Sequence, residues 1–181
     1  MKNKQLGFTM IELIVVIVIL GILAAVALPR FSNIQRDARI AKLNAARGAV
    51  QAATAMIHGT VLVRGGVADT AACPGTAVTA DNTTTVCTEH GVVSIVNGYP
   101  IANLAGIIDA AGLTSTFPAT AGALTAEGYS TSGGGAVIAS VLTVQVNGGT
   151  DPATCSFTYS PANGGAANSA AVVGAIDTTG C

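Results

Sequence analysis

The sequence predicts an α+β fold: a long N-terminal α-helix, membrane-spanning in its first half, packed against a three- or four-stranded antiparallel sheet with disulfide-bounded loops. Three observations predict it. From Phe8 to Leu28 run 21 residues of which only Thr9 and Glu12 are polar. As a helix rising about 1.5 Å per residue, that stretch spans about 30 Å, the hydrocarbon thickness of a bilayer. Short stretches of period-two alternation in the second half, separated by Gly and Asn turns, read as strands. All four cysteines, at 73, 87, 155 and 181, lie beyond the apolar run.

Lys2 and Lys4 precede the run and no acidic residue does, which holds the N-terminus on the cytoplasmic side. The informative residue inside it is Glu12. A carboxylate in hydrocarbon costs about 2.5–3.5 kcal/mol even on a lenient insertion scale. A cation relieves that cost, and cutting the chain between Gly7 and Phe8 creates one: a free amine on Phe8 at the end of an apolar rod. The amine of one copy can neutralise Glu12 of its neighbour and so fix a side-by-side stagger, the best-attested role of buried polar groups.

The segment Gly7-Phe8-Thr9-Met10-Ile11-Glu12-Leu13, followed by about twenty apolar residues, resembles the N-terminal signal of type IV pilins and of the pseudopilins of type II secretion. The resemblance implies cleavage after Gly7 by a prepilin peptidase, N-methylation of Phe8 by the same enzyme, and assembly directed by Glu12. It implies a pilin fold and a homopolymer. The precursor waits in the inner membrane, an assembly platform there extracts it, and the fibre lies on the bacterial cell surface. It covers about the first 30 residues. Asn97-Gly98-Tyr99-Pro100, Pro29-Arg30-Phe31 and the late cysteine pair are similar to the mannose-sensitive haemagglutinin subgroup of these pilins. Two other readings of the N-terminus are weaker. Ala25-Val26-Ala27 has the form of a secretory cleavage site, but the apolar run is long for one and Glu12 intrudes. A secretion pseudopilin shares the motif, but has less need of disulfide-braced loops.

The expected organisation is a leader over 1–7, a spine helix over 8–58 with 8–28 in the membrane, and a head over 59–181. Within the head, 59–91 is a long loop, 92–152 a sheet region with a short helix, and 155–181 a disulfide-bounded region. Gly21 and Pro29 soften the helix, since Pro29 cannot donate to residue 25 and Gly costs about 1 kcal/mol relative to Ala. By resemblance, 21–29 is the segment that unwinds in a filament. Beyond Phe31 the helix resumes. Ile34, Ala38, Ala41 and Ala45 form one ridge; Ile40, Leu43, Val50 and Ile57 continue the spacing. His58-Gly59 is read as its end, with His58 as a capping residue.

Val61-Leu62-Val63 reads as a short edge strand within that loop. Residues 90–100 read as a short strand and a turn, 102–111 as a short helix stopped by Gly112, and 113–135 as loop. Residues 136–146 form a strand whose Ile138, Ser140, Leu142, Val144 and Val146 face the helix. Residues 154–159 and 171–176 complete the sheet, with Asn147-Gly148 as a turn.

Four cysteines on the exported side form two disulfides. Of three connectivities, Cys73–Cys87 with Cys155–Cys181 is favoured, because each bridge closes a local loop and contributes about 3 kcal/mol on the chain-entropy model. Zinc is disfavoured: there is no C-x₂-C spacing, and His58 and His90 form no cluster with the cysteines.

Apolar residues make up 50 % of the chain and charged ones 9 %, which excludes a disordered acidic chain. From Arg30 to Arg64 there are six Lys or Arg residues and one acid, and after Arg64 seven acids and no Lys or Arg. That sign disfavours a nucleic-acid role for the head. A basic flank outside the anchor is also not what membrane topology favours, so meeting of opposite charges between copies is an alternative. No nucleophile–base set, H-E-x-x-H helix or phosphate loop occurs, Gly133-Gly134-Gly135 lacking a following Lys. Neither catalysis nor a cofactor or metal is expected, and Asp151 and Asp177 are read as solvated acids rather than calcium ligands. Asn82-Thr83-Thr84 has the form of a glycosylation triplet and receives no role.

Overall fold

The computed structural model describes residues 8–164 and 170–181, without the side chains of Pro29 and Ser32. Two compact units share the first helix, one up to Ala38 and one from Arg39 to Cys181. Helix α1 runs from Met10 to Arg64. It remains helical through Gly21 and Pro29, although Pro29 brings no N–H to the carbonyl of residue 25.

The helix is longer than the spine read from the sequence. It does not end at His58-Gly59, and Val61-Leu62-Val63 belongs to it rather than to a strand. Tertiary packing overrides the β-branched composition here, because Val61 packs on the small cluster of Ile57, Val86, Val93 and Ile95. His58 does not cap. Its Nδ1 lies 3.2 Å from the Gly98 carbonyl oxygen and its ring stacks on Tyr99 at 4.1 Å. The stop is Gly65-Gly66, both at positive φ, with the Gly65 N–H closing onto the Val61 carbonyl.

The head carries two antiparallel sheets rather than one. The first is β1 (Thr85–Thr88), β2 (Gly91–Val96) and β3 (Tyr99–Pro100), in that order. Asn97-Gly98, both left-handed, makes its second turn. The second sheet is β4 (Tyr129–Gly133), β5 (Leu142–Val146), β6 (Ser156–Ser160) and β7 (Val172–Val173), also in order. Val144 stands opposite Phe157, and Tyr159 opposite Val173.

Between the sheets, a π-turn over Leu104–Ile108 runs into α2 (Asp109–Ala111), ended by left-handed Gly112. The tight wind suits Gly106, where a Cβ would meet the Ile101 carbonyl oxygen. Residues 113–135 are not a plain loop. They hold α3 (Ala121–Ala126), capped by the Thr120 side chain, and β4. The strand read over 136–146 exists only from Leu142, since β4 stops at Gly133 and no strand among the described residues pairs 136–141. Likewise 171–176 pairs regularly only at β7, and 154–159 starts at Ser156, after a 3₁₀ turn over Pro152–Thr154.

The main core joins Leu43, Ala46 and Val50 of α1 to Ile107, Ile108, Leu124, Leu142, Val144, Phe157 and Tyr159. The buried Tyr159 hydroxyl donates to the Pro100 carbonyl at 2.7 Å, and burial pushes its pKa up. Basic residues of α1 bind main-chain carbonyls of the same unit. Arg39 donates to Cys181, Arg47 to Gly174, and Lys42 to Glu127 while lying over the Tyr129 ring at 4.4 Å. Arg64 pairs with Asp69 at 2.8 Å. These cations are therefore occupied within one chain.

Asp109 is buried. One oxygen accepts from the Ala119 N–H at 2.6 Å and the other has no partner among the described residues. Burial raises its pKa, and the Ala119 bond only partly offsets this. A raised carboxyl pKa adds stability fully present below the unfolded value, about 3.9, and lost as pH rises through the folded value. Asp109→Asn is thus expected to melt at a higher temperature than wild type at pH 7. The difference should shrink as pH falls towards about 4, which melting followed by circular dichroism at both pH values checks.

Candidate assembly site at the start of the helix

Gly7, where cleavage is expected, lies outside the described residues. Phe8 and Thr9 precede the first turn of α1, and Phe8 is 87 % exposed. The large apolar side chains from Met10 to Leu28 are likewise uncovered by the rest of the chain. The best 18-residue window has a mean hydropathy of 3.1, and the helix is long and apolar enough to cross a membrane.

Glu12 has a partner in its own chain. Its Oε2 accepts from the Thr9 N–H at 2.9 Å and from the Thr9 hydroxyl at 2.8 Å. In return the Glu12 N–H donates to Thr9 Oγ1 at 3.2 Å. This is a reciprocal capping box built on Thr9-Met10-Ile11-Glu12. The carboxylate also sits in the first turn, where the helix dipole favours an anion by about 0.3–1 kcal/mol. Thr9 is a local partner of Glu12 that reasoning from charge alone does not name, and its T-x-x-E spacing is the available signal. Capping contributes about 1 kcal/mol, which offsets part of the cost of an acid in a membrane helix, about 2.5–3.5 kcal/mol at the helix centre.

In the head, Cys73 is bonded to Cys87 and Cys155 to Cys181, with Cα–Cα distances of 5.2 and 4.7 Å. Asn82 is 1 % exposed and left-handed. Its amide donates to the Val67 carbonyl and to Asp69, and its oxygen accepts from Arg64. A glycan on Asn82 would have to break that network. Asp81 accepts from the Thr84 hydroxyl and from the N–H groups of residues 83–85, which hold its carboxyl well below the usual range. Asp151 and Asp177 each bind their own turn.

The chain matches the family described as the prokaryotic N-terminal methylation motif over residues 2–28. Its N-terminal segment is thus one found at the start of type IV pilins. It is similar to the type IV major fimbrial protein FimA of Dichelobacter nodosus, 40 % identical over 53 residues, 29 % of this chain and 34 % of that protein. It is also similar to the type IV narrow pilus major component PilA5 of Thermus thermophilus, 50 % identical over 50 residues, 28 % of this chain and 43 % of that one. Fimbrial protein EcpB of Eikenella corrodens is 41 % identical over 64 residues, 35 % and 38 % of the two chains. The matches span between a third and a half of these relatives. No solved structure gives a significant match.

Thr9→Ala should free the amides of the first helical turn to exchange about fivefold faster, the equivalent of about 1 kcal/mol of lost capping. Thr9→Ser should restore slow exchange. Hydrogen exchange of the full chain in micelles, followed by NMR, reads both.

Proposed function

We propose that this chain is the structural subunit of a type IV pilus, which polymerises through α1 into a surface fibre for adhesion, aggregation or motility. The observation that carries the reading is the methylation motif followed by an uncovered apolar helix, with one acid a single turn beyond the expected cut. The precursor sits in the inner membrane. A prepilin peptidase cuts between Gly7 and Phe8 and methylates Phe8, and an assembly platform delivers the subunit to the fibre base. There the Phe8 amine of one copy meets Glu12 of its neighbour. Apolar helix packing supplies most of the binding energy, and the charge pair sets the register. Residues 21–29, with Gly21 and the proline gap at Pro29, unwind to absorb the packing of neighbouring helices.

A second feature of α1 supports this reading. Leu43, Ala46, Val50, Ala53 and Ile57 are buried in the head. Another stripe, Ala41, Ala45, Gly48, Ala52, Ala55, Gly59 and Leu62, repeats at alternating steps of four and three residues and is exposed along its whole length. A Cβ at Gly48 or Gly59 would meet nothing within 4 Å. The fold of one chain therefore does not require glycine there, although each costs about 1 kcal/mol relative to Ala. A close helix–helix seam with a neighbour accounts for both.

Glu12→Ala should insert into the membrane at least as well as wild type yet yield at least tenfold fewer sheared filaments. Gly48→Leu should leave the melting of the head nearly unchanged and also reduce filament yield. Mass analysis of the N-terminal peptide from wild-type filaments should find methylated Phe8 as the first residue. A chain confined to the envelope and required for exoprotein release would replace the pilus with a secretion pseudopilus. Normal filament yield from Glu12→Ala would refute the charge-pair mechanism.

A further inference from the structure

In the first unit, up to Ala38, α1 carries two charged side chains that the fold does not use. Arg30 and Asp37 are both exposed, and neither makes a hydrogen bond or ion pair with any described residue. Side chains on a helix meet their neighbours three and four residues away. All positions three or four residues from Arg30 or from Asp37 hold uncharged residues. Arg36 is adjacent to Asp37 in sequence, but consecutive side chains do not face each other on a helix. Arg30 differs in this from every other described Lys or Arg. Arg39, Lys42, Arg47 and Arg64 are bonded within their own chain, and Arg36 is engaged as well.

The two charges share one face of the helix. Seven residues make close to two turns, so Arg30, Ile34 and Asp37 follow one another at steps of four and three. Ile34 between them is 61 % exposed. The face thus reads cation, aliphatic side chain, acid, over about 10 Å of rise. Over that distance the pair is not closed within one helix. A second copy of the same helix lying alongside closes it. Both residues also lie beyond the softened stretch 21–29, so unwinding of that stretch leaves their spacing unchanged.

We infer that Arg30 of one copy pairs with Asp37 of the next copy, on this face of α1. Copies anchored with the same end inside the membrane lie parallel. Bringing Arg30 of one level with Asp37 of the other then requires a shift of about 10 Å along the axis. That shift carries the remaining Arg30 and Asp37 of the two copies away from each other. Each takes a further copy, so the contact is heterologous and open rather than a closed twofold pair. The shift has the same sense as the one set by the Phe8 amine and Glu12, where the cation also precedes the acid. Glu89 and Glu127 are the other acids whose carboxylates accept no hydrogen bond among the described residues. Both belong to the second unit, whereas a small shift of a parallel copy of the same helix presents Asp37 to Arg30. The inference rests on the fibre reading above, for which it supplies a second register-setting pair, outside the membrane-spanning stretch.

Charge exchange in the full-length chain tests the pair, with wild-type filaments verified first. Arg30→Asp alone and Asp37→Arg alone should each lower the yield of sheared filaments about tenfold, because each sets like charges against each other across the contact. The double variant, Arg30→Asp with Asp37→Arg, should return to near wild-type yield. Co-expression of the two single variants should also recover filaments, now containing both chains, since the two kinds of copy satisfy every pair by alternating. A role confined to one chain would not be rescued by such mixing. Normal yield from either single variant, or failure of the double variant or of the mixture to recover, overturns the inference and leaves the fibre reading standing. Absence of wild-type filaments overturns both.

Discussion

The carboxylate of Glu12 near the start of an apolar helix is the constraint on which the account depends. Left alone it opposes membrane insertion by a few kilocalories per mole. Thr9 removes part of that opposition by closing a capping box within the chain. On the proposed reading, the box leaves the chain tolerable in a membrane and still better off beside a cation. A fully compensated acid would give a stable anchor with no reason to leave, and an uncompensated one would resist insertion. On the proposed fibre reading, that intermediate value is what gives assembly a direction.

Beyond the apolar run the same helix solves a second problem. It serves two surfaces at once, and its sequence carries two interleaved stripes of seven-residue period. Leu43, Val50 and Ile57 are large and enter the head, while Ala41, Gly48 and Ala55 are small and remain outside. The basic residues between them are taken up by carbonyls of Glu127, Gly174 and Cys181. Those bonds hold segments distant in sequence onto α1, including the end of the loop closed by Cys155–Cys181. The positive stem and negative head seen in the sequence thus do not require charge pairing between copies. Arginine and lysine act here largely as donors to main-chain oxygens within one chain.

Much of this was legible in the sequence where physical signals were local. The apolar run, the Gly112 stop, the Asn97-Gly98 and Asn147-Gly148 turns and the inward set Leu142, Val144 and Val146 follow from period and turn chemistry. What failed depended on distant partners. His58-Gly59 looks like a helix end until Tyr99 and Gly98 pack against His58. Residues 136–141 alternate like a strand, yet β4 has ended and no neighbouring strand among the described residues pairs them. In 121–133 small polar residues conceal α3 and β4, because their support comes from the Thr120 cap and from β5. Thr9 was different: its signal was present in the T-x-x-E spacing to Glu12.

The most direct measurement is of what Glu12 touches once the polymer has formed. Filaments co-assembled from two pools of the chain, one with carbon-13 at the Glu12 carboxyl and the other with nitrogen-15 at the Phe8 amine, would be examined by solid-state NMR. Magnetisation transfer between the two labels, which can arise only between copies, is the predicted result. Filaments in which Glu12 still contacts Thr9 alone, with no transfer to the amine of another copy, would contradict the account.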